Sequence, residues 1–172
     1  LMEKEGFLAG ADWLDMLKYK ISYGAQGNDA LLYENPANYY DGGQNYYPAQ
    51  DQFNIKNSND DFAIELDYKG NKDITWETSY NLNTGFEFSL FNGTFSGSVE
   101  YFNRRVENML YYIPVPLTVG YSSYPDNIGS MRNRGIDVDL HARLIHTPKF
   151  TWSVYVNGTH YKNEILSLPP QF

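Results

Sequence analysis

The sequence contains no cysteine. Disulfide bridges and thiolate metal sites are therefore both excluded, which leaves hydrogen bonds and side-chain packing to hold the fold together. The absence is compatible with an oxidising compartment but does not by itself identify one. No other residue pattern points to a bound prosthetic group, so we expect neither a metal nor a cofactor.

Two further absences narrow the class of protein. No window approaches the roughly 18 consecutive apolar residues that a transmembrane helix requires. Positive charge is also scarce, because 13 Lys and Arg residues face 21 Asp and Glu residues, for a net charge of -8. This charge disfavours binding to nucleic acid. No signal peptide is recognisable, and we expect both ends of the sequence to be cuts in a longer protein.

The sequence is, by contrast, rich in aromatic residues. They make up 17% of the chain and include 16 tyrosines, although the mean hydropathy of -0.54 is polar. Many aromatic side chains in a polar chain suit a protein that has one apolar surface and one wet surface.

The clearest pattern is an alternation of apolar and polar residues with a period of two, which is typical of β-strands. The longest example runs without a break from Trp76 to Leu90. Strands of soluble proteins average about 5–6 residues, whereas a tilted strand needs about 9–11 residues to cross a bilayer. We therefore predict an all-β fold, an antiparallel transmembrane β-barrel segment with five spanning strands at about residues 16–24, 76–91, 94–109, 135–145 and 150–162.

Asn92-Gly93 directly follows the longest alternating segment and predicts a two-residue hairpin turn, because a type I′ turn needs positive φ at both positions. Closing the hairpin there pairs Phe91 with Thr94. In this register the apolar residues of both strands share one face and the polar residues share the other. The register brings Gly85 opposite Glu100 and Asn81 opposite Arg104.

A second alternating pair of strands is joined by a turn around residues 146–149. Matching the apolar faces of these strands requires an odd number of loop residues, either three or five. We expect Leu144 to lie opposite Phe150 and Ala142 to lie opposite Trp152.

The other connections are long loops, at about residues 24–75 and 110–134. Alternating short and long connections are the pattern of outer-membrane barrels, which have short periplasmic turns and long extracellular loops. Within the first loop, residues 62–68 are expected to form a strand extension. Five strands do not close a barrel, and an open sheet edge is not tolerated in hydrocarbon, so we expect the rest of the wall to lie elsewhere in a longer protein.

In a membrane barrel the apolar face meets lipid and the polar face lines the lumen. A soluble sandwich would show the same alternation with its apolar face in the core, but strand length and loop asymmetry favour the barrel. The residues predicted to face lipid are Trp76, Tyr80, Phe86, Phe88 and Trp152. The residues predicted to face the lumen are Glu87, Glu100, Arg104, Asp137, Asp139, His141 and Arg143.

Arg105 is predicted to point outward, far enough along its strand from the hairpin turn to lie near the outer interface. Two roles fit this position. The side chain either reaches lipid phosphates or belongs to a solvated strand extension, where it pairs with Glu107 or with a neighbouring loop.

No catalytic constellation is present, and we expect the chain not to be an enzyme. Asp137, Asp139, His141 and Arg143 share one strand face, but side chains two residues apart on a strand are roughly 7 Å apart. That spacing is too wide for one tight set of metal ligands, so a solvated lumen wall is the preferred interpretation.

Five stretches, in order along nearly the whole chain, resemble signatures of SusC/RagA-like TonB-dependent transporters. They are LKYKISYG at 17–24 followed by QGN at 26–28, NKDITWE at 71–77, YFN at 101–103 with ML at 109–110 and PVP at 114–116, NIGSMRNRGI at 127–136, and NGTHYKNEI at 157–165. Lys72 stands where the family usually has proline, and Asp137 stands where it usually has glutamate. No single motif is specific, whereas their shared order is.

The resemblance implies the C-terminal part of a barrel of about 22 strands. It also implies import of glycans or peptides across the outer membrane, with a SusD-like lipoprotein lid and energy from TonB. The family's plug domain and TonB box have no match in the sequence, so contact with TonB would need a segment absent here. The implied partners are the lipoprotein lid, TonB, outer-membrane lipid and an oligosaccharide or peptide.

Ligand contact is expected in the loops, where tyrosines stand beside Asn, Asp and Gly. The candidates are Tyr39, Tyr40, Tyr46, Tyr47, Tyr121 and Tyr124. Aromatic rings stack on sugar rings while amides and carboxylates bind hydroxyl groups, and a peptide fits the same kind of surface. The alternative is that these tyrosines pack the loops against each other or against the lid protein.

Two other functions stay open at this point. The first is a secreted or surface β-rich glycan-binding module, which would be soluble without detergent. The second is a passive porin-like barrel without TonB coupling, which would lack a plug domain upstream of the barrel.

Overall fold

The structure is a computed structural model, and it describes Gly6 and residues 10–31, 45–58, 61–121 and 123–168. These residues form nine β-strands and one short 3-10 turn at Leu117–Val119. The strands are β1 (Leu14–Asn28), β2 (Gln52–Ser58), β3 (Asp61–Tyr68), β4 (Glu77–Leu90), β5 (Phe95–Glu107), β6 (Leu110–Pro114), β7 (Ser123–Asn127), β8 (Ser130–Thr147) and β9 (Phe150–Ser167). Across the same residues, no helix is both long enough and apolar enough to span a membrane.

The five long strands form one antiparallel sheet in the order β1-β4-β5-β8-β9. Each has between 13 and 18 residues, well above the average of about 5–6 for soluble proteins. Two small sheets pair β2 with β3 and β6 with β7. The predicted all-β antiparallel fold is confirmed. Within the described residues the barrel is not closed, because β1 and β9 are the two edges of the sheet.

The chain divides into two compact units. The sheet unit comprises residues 1–25, 80–105 and 131–165, which are most of the five long strands. The loop unit comprises residues 26–79, 106–130 and 166–172 and contains both small sheets.

The hairpin turn at Asn92-Gly93 forms where the sequence predicts it. These two residues have φ values of 55° and 70°, as a type I′ turn requires. Phe91 also has a positive φ, of 57°, and residues 91–94 join β4 to β5, so the connection is longer than the predicted two residues. The predicted register of the hairpin is confirmed as well, because a Cβ atom on Gly85 would lie 2.9 Å from the Cα atom of Glu100. Local turn chemistry and strand alternation therefore specify this hairpin together.

The prediction that three or five residues join the two strands of the second hairpin is wrong. Only residues 148 and 149 join β8 to β9. Near the turn, His146 Nδ1 lies 3.2 Å from Thr151 Oγ1, whereas farther along His141 stacks on Tyr155. The two contacts are one residue farther apart along β8 than along β9. We infer from this that β8 contains one extra residue, a β-bulge, between His141 and His146. The bulge keeps the apolar faces matched despite the even turn.

The predicted pairing of Leu144 with Phe150 is also wrong, because it assumed a five-residue loop. The bulge also gives the physical reason for the error. Alternation reports which face a residue occupies, but it does not report an extra residue inserted into one strand.

Both ranges predicted as long loops contain strands, and the strand expected inside the first range is present. Within 24–75, β2 pairs with β3, and the strand predicted at 62–68 lies in β3. Within 110–134, β6 pairs with β7, and β8 already begins at Ser130. Proline at positions 114 and 125 obscures β6 and β7 in the sequence, because proline is uncommon inside strands.

Candidate functional site

A row of ion pairs crosses the polar face of the sheet unit. Lys20 on β1 bonds to Glu100 on β5, and its Nζ atom lies 3.7 Å from the Glu87 carboxylate on β4. Lys18 Nζ also lies 3.7 Å from Glu87. The structure thus brings together two carboxylates predicted to face the lumen and adds two lysines that the prediction omitted. Their alternation with Leu17, Tyr19 and Ile21 is the sequence pattern that places both lysines on this face.

The polar face continues through His141 on β8. Its Nδ1 atom lies 3.4 Å from Ser96 Oγ, and its ring stacks on Tyr155 at 4.3 Å between centroids. Asp137 and Asp139 alternate in phase with His141 along β8, and Arg104 does so with Ser96 along β5. Over the described part of the chain, no group of three or more His, Cys, Asp or Glu side chains is arranged to hold a metal ion.

Arg143 takes part in holding the first hairpin turn. Its Nη2 atom donates to the Asn92 carbonyl oxygen at 2.9 Å. From the neighbouring strand, the Asp15 carboxylate accepts the amide N–H groups of Asn92 and Gly93 at 3.1 and 2.8 Å. Arg143 and Asp15 therefore bond the exposed polar groups of the turn. Asp15 was not singled out from the sequence, because its contact is 77 residues away along the chain.

The opposite face of the sheet unit is apolar and exposed. The Tyr19 and Phe86 rings lie 5.1 Å apart between centroids, and the Phe88 and Phe95 rings lie 5.6 Å apart. Trp152 on β9 is 51% exposed and Ile21 on β1 is 65% exposed. An apolar face of this extent is unusual on a soluble monomer and marks a surface that contacts something apolar.

The loop unit contains a cavity of about 200 Å³. Its lining includes Asp29, Leu31, Asn45, Tyr46 and Trp76. Asn45 is 2% exposed, and its amide nitrogen donates to the Tyr112 hydroxyl oxygen at 2.8 Å. Its side-chain oxygen accepts the Tyr47 amide at 3.0 Å, so one buried amide fixes the backbone beside the cavity.

Of the six tyrosines predicted to contact a ligand, the structure brings Tyr46 to this cavity. Tyr47 lies next to it in sequence and is 61% exposed, whereas Tyr121 and Tyr124 are not among the lining residues. Tyr39 and Tyr40 lie outside the described residues. Tyr112, which anchors Asn45, was missed because the alternation in β6 is too short to identify.

Trp76 is 67% exposed and lies between β3 and β4 in sequence. A Cβ atom on Gly27 would lie 2.9 Å from the indole, so the absence of a side chain at this position lets the ring approach β1. Trp76, predicted to face lipid, thus combines a solvent-exposed ring with a place in the cavity wall.

Asn127 joins two of the sequence motifs inside the loop unit. Its amide nitrogen donates to the carbonyl oxygens of Thr75 and Asn108, each at 2.8 Å. Its side-chain oxygen accepts the Thr75 amide at 2.7 Å and the Thr75 hydroxyl at 3.2 Å. Asn71 adds a 3.0 Å bond to Asp126. The NKDITWE and NIGSMRNRGI stretches are therefore parts of one hydrogen-bonded junction.

Asp51, also in the loop unit, accepts hydrogen bonds from Lys69 Nζ at 2.6 Å and from the Gly70 amide at 3.0 Å. The Lys69 bond first, and the Gly70 bond second, hold the pKa of the Asp51 carboxyl below its ordinary value. The carboxylate therefore stays ionised to lower pH than a free aspartate does, and its bonds join the two ends of the β2–β3 hairpin.

Comparison with known proteins gives the same family from sequence and from structure. The family model described as "TonB dependent receptor-like, beta-barrel" matches residues 57–166. The chain is 32% identical over 169 residues to TonB-dependent receptor P3 of Formosa agariphila, covering 98% of this chain and 16% of that protein. It is 26% identical over 172 residues to TonB-dependent receptor SusC of Bacteroides thetaiotaomicron, covering 97% and 16% respectively.

A solved structure of the RagAB peptide transporter is similar to the chain with a TM-score of 0.79 and 26% identity, over 97% of this chain and 17% of that one. The chain spans about one-sixth of the length of these relatives. The resemblance inferred from the motifs is confirmed, and so is the expectation that the chain is not an enzyme. It belongs to the TonB-dependent receptor-like β-barrel family, which consists of outer-membrane receptors and transporters.

Proposed function

We propose that this chain is a section of the outer-membrane wall of an importer that takes up glycans or peptides with a SusD-like lipoprotein and draws energy through TonB. One observation carries the proposal: five strands of 13 to 18 residues form a sheet with one exposed aromatic face and one ionic face. In a barrel the aromatic face meets lipid, and the ionic face lines an aqueous lumen.

The two free sheet edges support the same proposal. β1 and β9 each present a row of backbone N–H and C=O groups without a neighbouring strand in the described part of this chain. Unpaired backbone groups are strongly unfavourable in hydrocarbon, so both edges require further strands of a closed barrel. A soluble glycan-binding module would instead need a second layer over Phe86, Trp152 and the rest of the apolar face.

The cavity in the loop unit supports a ligand rich in hydrogen-bonding groups. Tyr46 and Trp76 offer exposed ring faces, and Asp29 offers a carboxylate beside them. Rings of this kind stack on sugars or on peptide side chains, while the carboxylate accepts hydroxyl or amide protons. Tyr39, Tyr40, Tyr47, Tyr121 and Tyr124 remain proposed contacts of the same ligand or of the lipoprotein.

Uptake by cells that express the full-length protein tests the proposal. Labelled oligosaccharides and labelled peptides are supplied with and without functional TonB. We expect accumulation of one of these two ligand classes that disappears without TonB. Accumulation that is unchanged without TonB would favour a passive barrel. Recovery of the full-length protein as a folded monomer in detergent-free buffer would overturn the membrane assignment.

A matched pair of variants tests the role of the cavity. Tyr46→Ala removes a ring from the cavity wall, whereas Tyr111→Ala removes an exposed tyrosine of the loop unit that neither lines the cavity nor is a proposed ligand contact. Stacking of a nucleic-acid base on an aromatic ring contributes about 1–3 kcal/mol, and we expect a comparable contribution here, so Tyr46→Ala should weaken ligand binding about fivefold or more. Equal affinities of both variants in equilibrium binding would contradict a ligand site in this cavity.

A further inference from the structure

Three cations and one carboxylate lie together at the end of β8 and β9 that is opposite the hairpin turn, and we call them the cation group. The members are Arg132, Arg134, Lys162 and Glu164. Arg132 donates to the Glu164 carboxylate from Nε and Nη2 at 3.2 and 2.6 Å. Arg134 Nη2 lies 3.4 Å from that carboxylate, and Lys162 Nζ lies 2.6 Å from it. Three cations thus share one anion, in a chain whose net charge is -8.

Strand alternation places the cation group on the apolar face of the sheet unit. His141 and Tyr155 stack on the polar face, and both positions are odd-numbered. All four members of the cation group are even-numbered, as is Trp152, so they occupy the opposite face of β8 and β9. The β-bulge in β8 lies on the turn side of His141 and does not affect this count.

β5 adds a fourth cation. Contacts at positions 94/143, 96/141 and 102/135 set one register between β5 and β8. In this register Arg105 lies directly across from Arg132, on the same face of the sheet. The outward direction expected for Arg105 from the sequence agrees with this register. With Glu107, which lies two residues from Arg105 on the same face of β5, the face carries four cations and two carboxylates within neighbouring strands.

The cation group lies at a definite height above the hairpin turns. On β9 the segment from Phe150 to Lys162 separates the group from its turn, and on β5 the segment from Phe95 to Arg105 does the same. At about 3.3 Å per residue and a strand tilt of about 45°, these segments rise about 23–28 Å along a membrane normal, and the segment of β8 from Thr147 to Arg132 rises about 35 Å. The apolar band of an outer-membrane barrel is about 25 Å tall, so the cations stand at or beyond its far edge.

We propose that the cation group and Arg105 bind the phosphate of a lipid headgroup on the outer wall of the barrel. This inference rests on the proposed function, because it needs lipid against the apolar face. Guanidinium groups present paired N–H donors that match phosphate oxygens. Glu164 holds Arg132 and Lys162 in place, so the site is arranged before the lipid arrives. Arg134 and Lys162 are more exposed than Arg132, so they present N–H donors toward the headgroup while they stay paired with Glu164.

Lipid retention by the full-length protein tests the site. The protein is purified in detergent, incubated with lipid A, which carries phosphates, and analysed by native mass spectrometry. Arg134→Gln with Lys162→Gln removes two cations but leaves the Arg132–Glu164 bond intact. Lys56→Gln with Lys72→Gln removes the same charge from the loop unit and serves as the control. Attraction of a surface cation to anionic lipid predicts about a fivefold loss of retention for each neutralised residue.

Three results would decide whether the cation group binds lipid phosphate. Weaker retention by the Arg134/Lys162 variant than by the control supports the site. Equal retention by both variants overturns it, and so does full displacement of lipid A by inorganic phosphate at equal concentration, since that would identify a free-phosphate site. Membrane insertion is followed separately by heat-modifiable migration in gels. Failure of the unmodified protein to insert would count against the proposed function, whereas normal insertion with unchanged retention counts against this site alone.

Discussion

At the scale of single residues, Asn127 joins segments that are far apart along the chain. Its amide makes four hydrogen bonds, to backbone and side-chain atoms of Thr75 and to the backbone of Asn108. Thr75 and Asn127 are 52 residues apart along the chain. One side chain therefore fixes the point where the chain returns from the loop unit into β4.

Asn127→Ala is expected to destabilise the loop unit by about 1–3 kcal/mol, because the Thr75 and Asn108 groups lose their partners. The measurement is the rate of limited proteolysis within residues 45–76 of the full-length protein. Asn83→Ala is the matched control, since the Asn83 amide makes a long 3.5 Å bond to Ser22. Equal proteolysis of the two variants would show that the junction does not depend on Asn127.

Gly129 is a second residue whose identity matters, because of its backbone conformation and its close contact with β9. Its φ of +59° is a conformation that favours glycine, and a Cβ atom there would overlap the carbonyl oxygen of Ser167. Gly120 also has a positive φ, of +90°, but has open space around it.

Gly129→Ala should therefore lower the stability more than Gly120→Ala does. Backbone strain costs about 1–2 kcal/mol at either position, and the overlap adds to it only at Gly129. Thermal unfolding of both variants in detergent provides the comparison. A larger loss for Gly120→Ala would contradict the packing of Gly129 against β9.

At the scale of elements, the hairpin of β4 and β5 is stabilised at its turn by a side chain from β1. The Asp15 carboxylate bonds the two amides of Asn92 and Gly93, while Arg143 bonds the Asn92 carbonyl. Side chains from β1 and β8 thus meet at the turn between β4 and β5. These contacts require the strand order β1-β4-β5-β8, so a change at the turn tests that order.

Asp15→Ala should destabilise the hairpin turn by about 1 kcal/mol, because two amide donors lose their acceptor. Asp15→Asn retains one acceptor oxygen and should lose less. Hydrogen exchange of the Asn92 and Gly93 amides is the direct measurement. Unchanged protection in Asp15→Ala would mean that β1 does not contribute to the turn.

At the scale of the whole molecule, the decisive property is the difference between the two faces of the large sheet. Ion pairs among Lys18, Lys20, Glu87 and Glu100 lie on one face, and exposed aromatic rings lie on the other. The difference follows from strand periodicity, so adjacent residues of one strand test it.

Val99→Arg and Ser98→Arg place the same cation on opposite faces of β5. An arginine that faces lipid near the bilayer centre costs about 2–4 kcal/mol, whereas one that faces the lumen is tolerated. Val99→Arg should therefore reduce insertion of the full-length protein into the outer membrane, and Ser98→Arg should not. The reverse order of insertion yields would mean that the lipid and lumen faces are exchanged.

The amino-acid sequence determined the five long strands, the two faces of their sheet and the family. Unbroken alternation from Trp76 to Leu90 and the Asn92-Gly93 turn act between near neighbours, so the first hairpin and its register were predictable. The order of five motifs identified the TonB-dependent family.

Only the tertiary structure decided the features that depend on contacts between segments far apart along the chain. The bulge in β8, the pairing of β6 with β7, the contact of Asn45 with Tyr112 and the cation group around Glu164 each join segments whose register no local pattern fixes. A period of two assigns a residue to a face but leaves open which strand lies beside it. The exposed apolar face and the polar wall were therefore determined by the sequence, whereas the side chains that meet on them were set by strand order and by one inserted residue.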